Sequence, residues 1–144
     1  MMEKAISKVK VMFFLKKYLS TERMASKDRA KPTQSANNII KGITAGELTT
    51  RLHKGDVILI DTREGYELTR EPGIAGSHHV SLSLIDSYAD PSLPYHLSIF
   101  DKNQQLIVYC SSGVRSALAV QILKEMGYEK IAYLIGGLKT WRKL

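Results

Sequence analysis

Cysteine is nearly absent from this chain: one residue, Cys110, in 144. That excludes an intrachain disulfide and a cysteine-rich zinc site, and a lone free thiol suits a reducing compartment, so a cytoplasmic location is expected. Long apolar runs are absent too. The longest near the start, Val11-Met12-Phe13-Phe14-Leu15, is far too short to cross a bilayer and short for a signal-peptide core. No His/Asp/Cys spacing fits a metal, and no glycine-rich loop fits a nucleotide, so neither metal nor cofactor is expected. His78 and His79 are adjacent and would point to opposite faces of a strand; with His53 and His96 they are assigned structural or surface roles. There are no internal repeats.

What is present is enough for one domain with a core. The net charge of +7 is unevenly placed. Residues 1–31 carry nine Lys/Arg against three acids, whereas the remainder is close to neutral. Residues 1–20 have helix-forming composition and residues 20–38 read as a polar linker, so residues 1–38 are taken as a basic extension and residues 39–144 as the domain. The extension is a candidate contact for an anionic surface or a protein partner, and organelle targeting by it stays open. No nucleic acid is expected as a partner.

Within the domain, strand and helix patterns alternate. Thr44 with Glu47 forms a capping box for a helix over 45–53. The apolar run Val57–Ile60 predicts a strand covered on both faces. A helix over 64–70, a short strand over 78–80, and helical turns over 82–88 and 95–101 follow. A second buried strand is expected over 106–109, a long helix after Arg115 ending at Gly127, a last strand over 131–134 and a closing helical turn over 138–142. This alternation predicts an α/β fold with a mostly parallel sheet and helices on both faces. Reactive groups in such sheets lie beyond the carboxyl ends of the strands, where Cys110 falls.

Cys110-Ser111-Ser112-Gly113-Val114-Arg115 joins the second buried strand to the long helix. A solitary cysteine is otherwise a small apolar side chain. Strand, cysteine, Ser/Gly turn, arginine and helix in that order point instead to a nucleophile, because helix-start amides and a cation favour the thiolate. Ser111, Ser112, Gly113 and Val114 supply inward N–H groups as a nest for a negative sulfur, and Gly113 permits the tight curve. Arg115 is either a fixed charge for an anionic donor or a salt bridge at the helix start. Ser112 or Ser116 is a candidate helix cap. Asp61 and Arg63, at the end of a neighbouring strand, are candidates for support behind the loop, most simply as an ion-pair network with Glu64 or Glu67.

The cysteine loop resembles the active-site loop of the rhodanese family. Thr44-Ala45-Gly46-Glu47-Leu48, the Asp61-Thr62-Arg63 strand end, Ile74–Ser81, and Leu134-Ile135-Gly136-Gly137-Leu138 with Trp141 resemble the family's other segments in order. The resemblance implies a three-layer rhodanese-like α/β fold of the single-domain type. It also implies a sulfurtransferase that moves sulfane sulfur from a small donor to a thiophilic acceptor through a persulfide on Cys110. Cys110 and Arg115 would be its catalytic residues, and Ser111, Ser112, Gly113, Val114 and Ser116 its substrate-binding residues. Four residues separate Cys110 from Arg115, whereas similar cysteine phosphatases have five; the tighter loop suits a single sulfur atom. Thiosulfate rhodaneses often place a basic residue after the cysteine. Ser111 stands there in this chain, which favours a mercaptopyruvate-like or persulfide donor. Ser77 and Ser81 replace the family's usual Ala and Pro. Two other functions compete: a non-enzymatic sulfur carrier or partner-binding module, and a phosphatase or arsenate reductase of related fold.

Overall fold

The computed structural model describes residues 39–144, and Ile40–Leu144 form one compact unit. The helix expected over 1–20, the linker over 20–38 and the role of the basic extension lie outside the described residues. In chain order the elements are β1 (Gly42–Ile43), α1 (Ala45–Lys54), β2 (Val57–Asp61), α2 (Gly65–Arg70), β3 (His78–His79), a 3₁₀ turn (Leu82–Leu84), α3 (Ile85–Tyr88), β4 (Gln105–Tyr109), α4 (Val114–Glu125), β5 (Ile131–Leu134) and α5 (Gly137–Trp141). No helix among the described residues is long and apolar enough to cross a membrane.

The five strands form one sheet in the order β1-β5-β4-β2-β3, and every pairing is parallel. This is an α/β architecture with β4 at the centre. Strand periodicity assigns the two faces. Leu59, Ile107, Tyr109, Ala132 and Leu134 share one face, where Leu48 of α1 and Leu138 of α5 close over them and Trp141 packs against the cluster. Leu106 and Val108 project to the other face and are fully buried. There α4 packs on β4 and β5, burying Ala119, Val120 and Leu123.

Local chemistry accounts for the ends of the elements. Thr44 Oγ1 accepts the Glu47 N–H and the Glu47 carboxylate accepts the Thr44 N–H, both at 3.1 Å, which completes the expected capping box of α1. The Glu67 carboxylate reaches back in the same way to the Glu64 N–H at 2.8 Å, so α2 begins one residue later than its composition predicts.

Two expectations change. The segment 95–101 forms separate turns and not a helical one. The Leu97 N–H donates to Tyr88 O at 2.9 Å and the Tyr128 hydroxyl reaches Phe100 O at 3.3 Å, and these long-range bonds replace a local ladder. The strand expected over 78–80 stops at His79, although the Val80 N–H still donates to Asp61 O at 2.9 Å. Strand β1, two residues on the outer side of β5, has no counterpart in the sequence reading.

Leu48 is wholly enclosed between α1, the sheet and α5. Replacing it by alanine is expected to lower the unfolding free energy by about 2–5 kcal/mol, measured as a drop in the urea midpoint at unchanged slope. A loss below about 1 kcal/mol would show that this face of the core closes over the gap.

Candidate active site

Tyr109 ends β4 and is fixed at both its backbone and its ring. Its carbonyl accepts the Thr62 N–H at 2.9 Å and the Thr62 hydroxyl at 3.0 Å. Its phenol oxygen accepts the Ile74 N–H at 2.9 Å, lies 2.8 Å from Ser77 Oγ, and donates to Asp61 Oδ2 at 3.1 Å. The residue that follows, Cys110, therefore leaves the sheet from an immobilised point, and period-two alternation turns its side chain to the α4 face.

The loop is fixed from outside as well. The Leu138 N–H donates to Cys110 O at 2.9 Å and the Lys139 N–H donates to Ser111 O at 3.1 Å. Such close approach requires glycine at the start of α5. Gly137 has φ 60°, and a Cβ there would stand 2.5 Å from Cys110 O and 2.7 Å from Ser111 O. With two carbonyls held outward, the loop's amides face inward. The Gly113 N–H donates to Cys110 Sγ at 3.0 Å, and Gly113 itself, at φ 105°, is the N-cap of α4.

Cys110 is completely buried. Burial pushes its thiol up. The contact with the Ser116 side chain and the hydrogen bonds from the Ser116, Gly113 and Ser112 amides outweigh it, so the thiol lies below its ordinary value. Ser116 Oγ is 3.5 Å from Sγ and donates to Gly113 O at 3.0 Å. Neither Ser112 nor Ser116 caps α4 with its side chain; Ser116 instead lies beneath the sulfur, fully buried.

The remaining loop residues divide. Ser112, Gly113 and Ser116 surround the sulfur. Ser111 contributes its carbonyl to α5, and Val114 is 77% exposed. Arg115 forms a two-pronged ion pair with Glu67, Nη1 to Oε2 at 2.6 Å and Nη2 to Oε1 at 2.7 Å. That pair holds the Glu67 carboxyl down at about 2. In the next turn of α2, the Arg70 guanidinium lies over the Tyr66 ring, 5.7 Å from its centroid.

Asp61 and Arg63 form the buried pair expected behind the loop, but with each other and not with Glu64 or Glu67. Arg63 Nη2 meets Asp61 Oδ2 at 2.8 Å and its Nε meets Oδ1 at 3.0 Å. Nη1 donates to Glu71 O at 2.9 Å. Two residues apart at a strand end, the side chains curl onto one another, whereas Glu67 is already engaged by Arg115. Sequence reasoning missed Glu67 as the partner of Arg115, and Tyr109 and Ser77 as the link from Asp61 to β4. Only the Glu64–Glu67 spacing, a helix-start signature, hinted at a fixed carboxylate there.

The central parallel strand of the α/β sheet thus ends in a buried, amide-ringed cysteine at the start of α4. The rhodanese-like domain family model matches residues 44–144, and the chain belongs to that family. The chain is 31% identical over 104 residues to a thiosulfate sulfurtransferase, GlpE, of Coxiella burnetii, covering 71% of this chain and 87% of that protein. Among solved structures, a protein of unknown function from Rhodopseudomonas palustris, described as a possible tyrosine phosphatase, superposes with a TM-score of 0.70 at 29% identity, covering 79% of this chain and 93% of that one. The human single-domain sulfurtransferase TSTD1 shares the fold, with a TM-score of 0.62 at 21% identity over 73% of this chain and 97% of its own.

Two outcomes are expected. Gly137→Ala should raise the Cys110 pKa, measured as the pH dependence of thiol alkylation, because the added methyl displaces the carbonyls that set the loop. An unshifted titration in a folded variant would show that the loop is set by Gly113 alone. Glu67 titrates near 4.5 when unfolded and at about 2 when folded, so its stabilisation is complete above 4.5 and is lost as pH falls towards 2. The thermal midpoint gap between the native protein and Glu67→Gln should therefore be widest above pH 4.5 and close as pH falls. A gap independent of pH would place the effect elsewhere.

Proposed function

We propose that this protein is a sulfurtransferase that carries sulfane sulfur on Cys110 between a small donor and a thiophilic acceptor. The Cys110 thiolate attacks the outer sulfur of thiosulfate, a mercaptopyruvate-like compound or a persulfide. The bond between the donor's outer and inner sulfur (the C–S bond in a mercaptopyruvate-like donor) breaks, and its electrons leave with the remainder of the donor. Cyanide or a thiol then attacks the outer sulfur of the Cys110 persulfide and restores the thiolate. Splitting the transfer into two displacements lowers the barrier of each.

One observation carries the reading: Cys110 Sγ accepts the Gly113 N–H at 3.0 Å inside a loop whose Cys110 and Ser111 carbonyls are bound by α5. The amides that stabilise the thiolate are placed to stabilise the negative outer sulfur as well. Family membership and the likeness to a thiosulfate sulfurtransferase support the same chemistry. The four-residue spacing between Cys110 and Arg115 favours it over phosphate transfer. The complete burial of Cys110 favours a second reading, a sulfur-carrying module that is discharged only when a partner docks. A reducing, cytoplasmic setting fits both readings.

Intact mass after incubation with thiosulfate or cysteine persulfide should rise by one sulfur atom in the native protein and not in Cys110→Ser, which keeps the shape of the side chain but is hardly ionised. Release of that sulfur to cyanide with turnover supports the enzyme; loading without release supports the carrier. Turnover that persists in Cys110→Ser would sink Cys110 as the nucleophile.

A further inference from the structure

Arg115 is the one charged side chain from Cys110 to Ser116. Both of its terminal nitrogens lie on Glu67, at 2.6 and 2.7 Å. Glu67 is itself held from a second direction, because Oε2 also accepts the Glu64 N–H at 2.8 Å. The carboxylate is thus a fixed part of the α2 start and not a surface chain that happens to reach the arginine. The pair is partly enclosed, with side chains 34% and 21% exposed, so solvent screens it incompletely. The carboxyl stays ionised down to about pH 2, and the pair carries no net charge wherever a thiolate exists. Next to the two partners in sequence stand Val114 and Tyr66, both uncharged and exposed, at 77% and 62%. A cradle whose own cation is balanced in this way keeps its amides for one negative sulfur, and Arg115 offers no surplus positive charge to a second anionic group.

We propose that Glu67 is a specificity-determining residue: by balancing Arg115 it makes the Cys110 cradle favour sulfur donors of low charge, organic persulfides of the form R–S–S–H, over dianionic thiosulfate. The inference rests on the sulfurtransferase reading and names its donor class. In the step it implies, the Cys110 thiolate bonds to the outer sulfur of R–S–S–H, the S–S bond breaks, and R–S⁻ leaves with the bonding pair. The products are Cys110–S–S–H and a thiolate, so charge and protons balance without a further reactant.

Charge at the mouth of the cradle is readable without sulfur chemistry. Iodoacetate and iodoacetamide alkylate the same thiolate, are of similar size, and differ by one negative charge. The ratio of their rates on Cys110, followed by intact mass, therefore cancels the thiolate population and reports the local field. Glu67→Gln keeps an oxygen for the Glu64 amide and unmasks Arg115; it should raise the iodoacetate-to-iodoacetamide ratio about threefold to tenfold, less at high salt. Arg115→Gln should lower the ratio by a similar factor, and the double variant should return close to the native value. Loading by thiosulfate relative to cysteine persulfide should follow the same order, with Glu67→Gln gaining on thiosulfate. Ratios that stay within twofold of native in both single variants would overturn the proposal. Ratios that move as stated, with no loading of the native protein by either donor, would overturn the sulfurtransferase reading and the donor class with it, while leaving the charge balance standing. A Glu67→Gln variant that fails to fold leaves Arg115→Gln to decide: no fall in its ratio overturns the proposal.

Discussion

The direction of two carbonyl groups governs the chemistry of this molecule. Cys110 O and Ser111 O are each bound by an amide from the start of α5, which turns the peptide units so that their neighbours' N–H groups face the sulfur. A thiol buried among apolar atoms would resist ionisation. The same thiol ringed by amides gains more from hydrogen bonds than it loses to desolvation. Every other contact described around the loop serves that arrangement. Thr62 and Asp61 fix the strand that delivers the cysteine, Gly113 allows the curve, and Ser116 fills the space beneath.

The two ion pairs near the loop have different physics. Asp61 and Arg63 are almost fully shielded, and their cost of desolvation is offset only because further atoms of the pair are bonded to the Tyr109 hydroxyl and Glu71 O. Removing either partner would strand a charge in the interior. Glu67 and Arg115 are partly wet, so they contribute less to stability. One pair is part of the scaffold that holds β4; the other ties the start of α4 to α2.

Much of this is legible in the sequence because it is written in local signals. The apolar runs at Val57–Ile60 and Leu106–Tyr109 demand cover on both faces, and they become central parallel strands. Thr44 and Glu47 specify the start of α1 three residues apart. The loop Cys110–Arg115 is contiguous, so its role is visible without the fold. What is hidden depends on contacts across long separations. Glu67 and Arg115 are 48 positions apart, as are Asp61 and Tyr109, and nothing in the spacing of either pair announces the contact. Strand β1 is hidden for another reason. Gly42 and Ile43 have no strand pattern of their own and are extended because β5 offers them an edge. Tyr95–Asp101 has helix-compatible spacing around Pro94, but bonds to Tyr88 and from Tyr128 capture its backbone first.

The lengths of the outermost strands have a consequence for how the molecule meets its own copies. Among the described residues the sheet is bordered by β1 on one side and β3 on the other, and each is two residues long. A strand arriving from another chain would find at most a pair of backbone groups to bond on β1 or on β3, too few to offset the ordering of its own backbone. Only β4 is paired along both sides, by β2 and β5; the outer edges of β2 and β5 are paired by strand at Ile60–Asp61 and Tyr133–Leu134. The strand that delivers the cysteine is thus bonded on both sides and out of reach of any arriving strand.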